Sequence, residues 1–527
     1  MSTIKNRLQK SWEQYEKGKE YKRRIGLYET VKTNERYYRG EQWQYGEGKN
    51  LPHPVFNIIG RVINYLVCSV CSADISIQYN DETLPYVRTE KEVEMIEDGI
   101  ATLNSNASYR WRKDGMDNLM LKLLTDGAIS GDGVVYCYWD PSRQGSQSFC
   151  GDIVTDRIDS VNVFPADVNK ADIQSQEYII ISGRATVGSL KAEARASGVS
   201  EEDIDLITAD EEYKDQAGEF SKYELTGSDE EKATYIIKFW REDGKIVFEK
   251  STRECVIRRA RTDCRLYPIA YFNWTPTKNA FHGTSPVSSL IANQKFINRA
   301  YAMAMKHMTD TAFSKVIYDK SKIPEWTNEV GEAIAAYGGG NISDSVSVLG
   351  VGEMQSGYMD LINSAVLLTK ELMGATDSAL GIVEANNTSA ILALQETSRI
   401  PLEQIRSSYY RLIEDVANIW VDMMCAYYPA ERLVPYYANE KLSAKCIDFS
   451  LLKNHILSAE VNVCEVSRYS ATSLQNMLDK LLEKGFISAD EYVKRLPIGN
   501  FNDKDDLISV LRLYAENRKN SKKESEV

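Results

Sequence analysis

The residues that could do acid–base or metal chemistry are few and far apart. Four histidines, His53, His282, His307 and His455, are scattered along the chain, none beside a cysteine cluster. Among nine cysteines the closest pair is Cys68 and Cys71, in YLVCSVCSADI. A structural zinc site needs about four ligands, so this pair reads as reduced thiols on a helix face. Paired carboxylates such as Glu201–Glu202 and Glu230–Glu231 lie in polar segments, where solvated acids are expected. YGEGKN, residues 45–50, lacks the spacing and the hydroxyl residue of a phosphate loop. No H-E-x-x-H, G-x-S-x-G or clustered acidic motif occurs. His282, in FHGTSP, sits beside a glycine turn, where a structural role is expected. The sequence thus predicts no catalytic residue, no metal and no cofactor.

One constellation is positive. In SPVSSLIANQKFINRAYAMAMKHMTDTAF, Lys295, Arg299 and Lys306 fall within about 40° of arc at about 100° per residue. They form a narrow basic stripe opposite an apolar seam. Two readings stand: a face that is solvated or ion-paired to a neighbouring helix, or an intermittent contact with phosphates. One copy of such a stripe is weak. Repeated around a symmetric ring it would become several basic belts.

The elements that must hold this stripe are legible. Ser285 is a plausible N-cap and Pro286 suits the first helical position. Val287, Leu290, Ile291, Ile297, Tyr301, Ala304 and Met308 recur at helical spacing. A second helix, near 356–373, carries Tyr358, Leu361, Ile362, Ala365, Leu368 and Leu372 on one face. Between them lie SKVIYD and VSVLGV as strand candidates and a glycine-rich YGGGN. Then GATDSALGIVEANNTSA, residues 374–390, interrupts the helical pattern with small and polar residues. It holds no Lys or Arg, and only Asp377 and Glu384 are charged. A helical pattern resumes over 389–427, where Leu402, Ile405, Tyr409, Leu412, Val416, Ile419 and Met423 form a heptad seam. At ~1.5 Å per residue it would be on the order of 55 Å long, with a kink near 397–400 imposed by Pro401.

The rest divides by pattern. Residues 1 to 130 read as mostly helical, with RYYRGEQW breaking the first helix at Gly40. Residues 133 to 275 read as strands, with a hairpin at Asp243–Gly244. The acidic stretch 199–232 within them reads as an exposed insertion. SAEVNVCEVS is a late strand, Gly485 a helix C-cap, and SADE at Ser488–Glu491 a capping box. At 527 residues roughly three to four domains are expected. A net charge of −13 argues against wrapping nucleic acid by charge alone. No stretch approaches the roughly 18 apolar residues of a membrane span. The charged N-terminus and odd cysteine count fit a reducing compartment.

Three motifs carry a family resemblance: YYRGEQW followed by PHPVFNIIGRVINYLVCSV; FHGTSPVSSLIANQKFINRAYAMAMKHM, a Gly-x-Ser-Pro turn opening a helix with Gln-x-x-Ile-Asn; and NNTSAILALQETSRIPLEQI. In order and spacing they resemble the portal proteins (head-to-tail connectors) of tailed bacteriophages. In the third motif Ser389 is followed by Ala390, where the family has a glycine. The resemblance implies an α+β portal fold with wing, two-helix stem, clip and crown. It maps the wing to 1–283, stem helices to 284–313 and 354–373, the clip to 314–353 and a tunnel loop to 374–388. It maps a long kinked helix with a returning wing strand to 389–469, crown helices to 470–515 and a disordered tail to 516–527. The tunnel loop would comprise Gly374, Asp377, Ser378, Leu380, Gly381, Ile382, Glu384, Asn386, Asn387 and Thr388, and Lys295, Arg299 and Lys306 would be DNA-channel candidates. The implied function is a homo-oligomeric, commonly twelve-membered ring at one capsid vertex of the virion, assembled in the host cytoplasm. Double-stranded DNA would pass through it without sequence recognition, driven by a separate terminase large subunit. Major capsid, scaffolding and head–tail adaptor proteins would be its other partners, with no membrane and no enzymatic activity. The alternatives are another head–tail structural protein, such as an adaptor or minor head protein, or a DNA-packaging enzyme.

Overall fold

The computed structural model describes residues 2–44, 46–83, 89–144, 150–210, 231–311, 315–326, 334–349, 357–374, 400–438, 441–464, 477–484 and 486–495. Its first part is helical, as the pattern predicts: α1 (Ser2–Arg24), α2 (Leu27–Arg39), α3 (Ile58–Val70), then strand β1 (Asp74–Asp81), α4 (Glu90–Lys113) and α5 (Met116–Ser130). Gly40 closes α2, not the first helix, because Gly26 has already separated α1 from α2. Gly40 takes φ 86, and its N–H and that of Glu41 return to the Tyr37 and Arg36 carbonyls. Glycine adopts that left-handed turn without a Cβ penalty. The aromatics around the break find partners: Tyr37 is buried, and the Trp43 indole donates to the Pro54 carbonyl at 2.9 Å.

The next part is antiparallel β. It comprises β2 (Asp132–Gln144), β3 (Cys150–Ile158), β4 (Val163–Pro165), β5 (Tyr178–Thr186), α6 (Val187–Ala196), α7 (Glu201–Ile204), β6 (Lys232–Glu242), β7 (Lys245–Ser251), β8 (Val256–Arg261) and β9 (Ile269–Asn273). The strands form a three-stranded sheet, β3-β2-β9, and a five-stranded sheet, β4-β5-β6-β7-β8. The hairpin is where the sequence puts it: Asp243 and Gly244 both have positive φ, the backbone of a tight two-residue turn. The described start of the stretch expected to be an exposed insertion, 199–210, is mostly exposed, with Ile204 and Ile207 turned inward. Ile204 and Ile207 are buried with Leu190, Ala194 and Ile257, so the start of that acidic stretch is packed against β8. Residues 211–230 lie outside the described residues.

Strand β5 shows why these layers stack. Ile179 and Ile181 face the three-stranded sheet beside Val134 and Ile269, while Ile180 faces α1 beside Tyr15 and Phe164. Successive strand side chains point to opposite faces, so an unbroken apolar run marks a strand covered on both. Each isoleucine so buried contributes about 1.5–3 kcal/mol. Lys22 fastens α1 there, donating to the carbonyls of Ser160, Val161 and Val163 at 3.1, 2.8 and 2.6 Å. Burial pulls its pKa down to about 7.

The remainder is α8 (Pro286–Thr311), β10 (Lys315–Tyr318), β11 (Val346–Leu349), α9 (Gly357–Glu371), α10 (Glu403–Tyr427), β12 (Leu433–Ala438), β13 (Lys441–Cys446), α11 (Phe449–Leu452), β14 (Leu457–Cys464) and α12 (Ala489–Arg495). The late strand β14 pairs antiparallel with β1, from Asp74↔Cys464 to Asp81↔Leu457. The expected heptad seam on α10 is buried throughout except for half-buried Ile405. Ile413, Ala417, Trp420 and Met424 are buried too, so α10 is enclosed by the helices and the three-stranded sheet rather than paired along one stripe. Pro401 sits in a short 3-10 turn, Ile400–Leu402, ahead of α10; the expected kink at 397–399 lies outside the described residues. The hairpin β12–β13 was not foreseen.

A buried charge hub joins α4, β3 and the end of α10. The Asp152 carboxylate accepts from Lys113 Nζ at 2.6 Å, Tyr428 Oη at 2.8 Å and Arg110 Nη2 at 3.5 Å. Arg110 also donates to the Ile153 carbonyl at 2.7 Å. Asp152 and Arg110 are each 5% exposed.

Candidate functional site

The cationic helix α8 is built into the fold at its start. Ser285 Oγ accepts from the Val287 N–H at 3.1 Å and donates to the Ala128 carbonyl, which is the expected N-cap with an added anchor on α5. Just before it, His282 Nδ1 donates to Asp132 Oδ2 at 2.7 Å, and Asp132 Oδ1 accepts from Asn273 Nδ2 and Gly283 N. Burial lowers the His282 pKa, so the ring is neutral and tied down as a joint. A Cβ at Gly283 would lie 2.8 Å from the Gly131 carbonyl oxygen, so the turn admits only glycine without a shift.

Further along, α8 is held by neutral amides. Gln294 Oε1 accepts from the Ile58 N–H at 3.1 Å, and its Nε2 donates to the Phe56 carbonyl at 2.8 Å and Asn298 Oδ1 at 2.9 Å. Asn298 Nδ2 donates to Gln42 Oε1 at 2.6 Å, and Gln42 Nε2 donates to the Tyr37 carbonyl and to Asn57 Oδ1. Asn57 caps α3 through the Gly60 N–H. Two of the three motifs quoted above, with Phe56 and Gln294 238 residues apart in the chain, are therefore one hydrogen-bonded network. Gln294 and Asn298 are 1% and 3% exposed. The signal that finds them is two amides at i and i+4 on an otherwise apolar helix face. Gln294→Leu is expected to destabilise the chain by about 1–3 kcal/mol, because the Ile58 N–H and Asn298 lose partners in a buried site. A denaturation midpoint unchanged from the native chain would contradict this.

The basic stripe lies on the exposed flank. Arg299 pairs with Glu47 at 2.6 Å, and that hydrogen bond holds the Glu47 carboxyl below its usual range. Lys306 pairs with Asp310 at 3.1 Å, and Lys295 Nζ lies 5.8 Å from the Tyr37 ring centroid. Two of the three cations thus meet carboxylates of the same chain. Beside them Phe296 and Met303 are 46% and 49% exposed.

Helix α9 packs on α8, with the Tyr358 hydroxyl donating to the Ala300 carbonyl at 3.4 Å. Its apolar face differs from the expected one. Ile362 is buried and Ala365 half-buried, whereas Leu361, Leu368 and Leu372 are 53%, 56% and 70% exposed. Leu361, Leu368 and Leu372 fall within about 40° of arc, so they form a second, largely exposed apolar stripe. Met308, expected in the α8 seam, is also exposed. Spacing alone cannot separate an inner apolar flank from an outer one. The ribbon β10–β11 between the helices pairs from Lys315↔Leu349 to Tyr318↔Val346 and exposes Ile317 and Val348. The two strand candidates therefore meet. Of the loop residues singled out, Gly374 follows α9 with φ 69. Asp377, Ser378, Leu380, Gly381, Ile382, Glu384, Asn386, Asn387 and Thr388 lie outside the described residues, as do 496–527.

Among the described residues no group of three His, Cys, Asp or Glu could hold a metal ion, and no helix is long and apolar enough to cross a membrane. Residues 256–447, from β8 through the β12–β13 hairpin, match the family described as phage P22-like portal protein. That span contains α8, the β10–β11 ribbon, α9 and α10. No curated protein matches the chain.

Proposed function

We infer, from the match of residues 256–447 to the phage P22-like portal protein family, that this chain assembles as a closed ring around a channel for double-stranded DNA at one vertex of the capsid. In this reading α8 and α9 are the stem helices and the β10–β11 ribbon belongs to the clip. Residues 374–388 are the tunnel loop, and the β-rich half with α1 to α5 is the wing. A separate terminase packages the DNA, and adaptor proteins dock afterwards. The observation that carries the ring is the exposed apolar flank of α8 and α9, Phe296 and Met303 with Leu361, Leu368 and Leu372. A heterologous contact repeated by a rotation closes into a ring, and two different flanks of one helix pair supply its two sides. Negative-stain microscopy or native mass spectrometry of the full chain is the test. Rings of about a dozen subunits are expected, and a monomer at every concentration and assembly condition would reject the reading.

The stripe also fits a conduit. Arg299 and Lys306 are partnered by Glu47 and Asp310, and Lys295, without a direct ion pair among the described residues, feels the same Glu47 carboxylate at longer range. Each phosphate a protein neutralises adds salt-dependent affinity, so a nearly balanced wall lets DNA slide. Charge reversal at Lys295, Arg299 and Lys306 together is expected to leave ring formation intact and lower the DNA packaged per particle. Loss of rings instead would assign the stripe to subunit contacts.

A further inference from the structure

Two neighbouring cavities on the β-rich half share walls and form one trough, and no residue of α8 or α9 lines it. The first, about 790 Å³, runs between the start of α1 and β8 and is bordered by Lys5, Arg7, Arg258 and Arg259. The second, about 560 Å³, is walled by Tyr136, Tyr138, Tyr235, Phe239 and Phe248. Pro141, Glu193 and Arg258 border both, so Arg258 stands at the join, its guanidinium 5.5 Å from the Phe248 ring centroid.

The charges in the trough are unequal in availability. Glu193 is taken by Lys250 at 2.6 Å, Asp203 by the Ser200 hydroxyl at 2.7 Å, and Arg259 by Glu242 at 3.3 Å. Among the described residues Lys5, Arg7 and Arg258 have no ion pair or hydrogen bond. Glu249 lines the basic half, is 3% exposed, and its Oε1 has no hydrogen-bond partner. A buried acceptor left unpaired is costly, which makes it a ready site for an incoming N–H. The strand at the trough, β8, is the edge of its sheet.

We propose that this trough is the docking site for an extended acidic segment of a second protein. Its carboxylates would lie over Lys5, Arg7 and Arg258, a backbone N–H would reach Glu249, and an aromatic or large aliphatic side chain would fill the tyrosine-lined half. A peptide fits better than nucleic acid, because the unpartnered Glu249 oxygen calls for a donor, and a peptide backbone offers N–H groups that a phosphate backbone lacks. The proposal goes beyond the channel reading and does not need the ring.

The test is fluorescence anisotropy with the dispersed full-length chain and a labelled Glu-Glu-Phe-Trp-Glu-Glu peptide. Saturable binding is expected. Arg258→Glu should weaken it by about tenfold or more, as loss of a charge-assisted contact implies. Arg7→Glu, on another element, should weaken it as well and guards against a misfolded first variant. Exchanging the peptide's Phe-Trp for Ser-Ser should also weaken binding. The proposal fails if binding does not saturate, if both arginine variants bind like the native chain, or if a single-stranded oligonucleotide of equal charge binds as tightly as the peptide. Ring formation plays no part in this readout, so its failure leaves the channel reading standing.

Discussion

Asp152→Ala is expected to destabilise the chain by about 1–3 kcal/mol, because Arg110 and Lys113 lose a buried carboxylate and Arg110 keeps Asp114, at 3.4 Å, as its remaining one. Arg110 is 5% exposed, and its Asp152 contact, together with Lys113 and Tyr428, closes the hub between α4, β3 and the end of α10. Asp152→Asn should cost less, because an oxygen remains for the Tyr428 hydroxyl and the Ile153 N–H. The two variants separate shape from charge. Despite the opposing effect of burial, Arg110 and Lys113 hold the Asp152 carboxyl well below the usual carboxylate range. A carboxyl whose pKa is lower folded than unfolded contributes stability above its unfolded value, about 3.9, and loses it as pH falls below that value. The native chain should therefore lose stability more steeply between about pH 5 and pH 2 than Asp152→Asn. Urea midpoints measured across that range check it, and parallel acid limbs for the two proteins would refute it.

The second large effect concerns assembly. Replacing Leu361, Leu368 and Leu372 together by asparagine is expected to abolish rings while leaving a folded monomer. All three side chains already stand largely in solvent within one chain, so the monomer loses little. Each leucine covered by a neighbour would contribute about 1.5–3 kcal/mol, and losing three weakens each contact on the order of a thousandfold or more. Sedimentation or native mass spectrometry distinguishes the outcomes. Rings at unchanged protein concentration would move the subunit interface elsewhere, and aggregation with lost helicity would mean that the stripe is internal.

Much of this architecture is legible in the order of residues. Ser285–Pro286, Asp243–Gly244 and the α10 seam act through local geometry, and local geometry is what spacing encodes. What escapes is whatever depends on a distant partner. Gln294 and Asn298 stand out as amides on an apolar face, but nothing nearby says that Gln42 and Asn57 complete them. The split of α9 into Ile362 inside and Leu361 outside is hidden because both flanks are apolar. The charges of the 199–232 stretch masked Ile204 and Ile207, which pack beneath it. The pairing of Arg299 with Glu47 joins two turns of chain that no periodicity relates.

The joint between α8 and the segment before α3 is made of Gln294, Asn298, Gln42 and Asn57, all uncharged. Screening by dissolved ions weakens attractions between charges, and an amide carries none to screen, nor a proton to gain or lose near neutrality. This amide joint should therefore be indifferent to ionic strength and to pH. The ion pairs on the outer flank of the same helix, at Arg299 and Lys306, will respond to both. One helix thus carries a face tuned by its surroundings beside an amide clasp that is deaf to them.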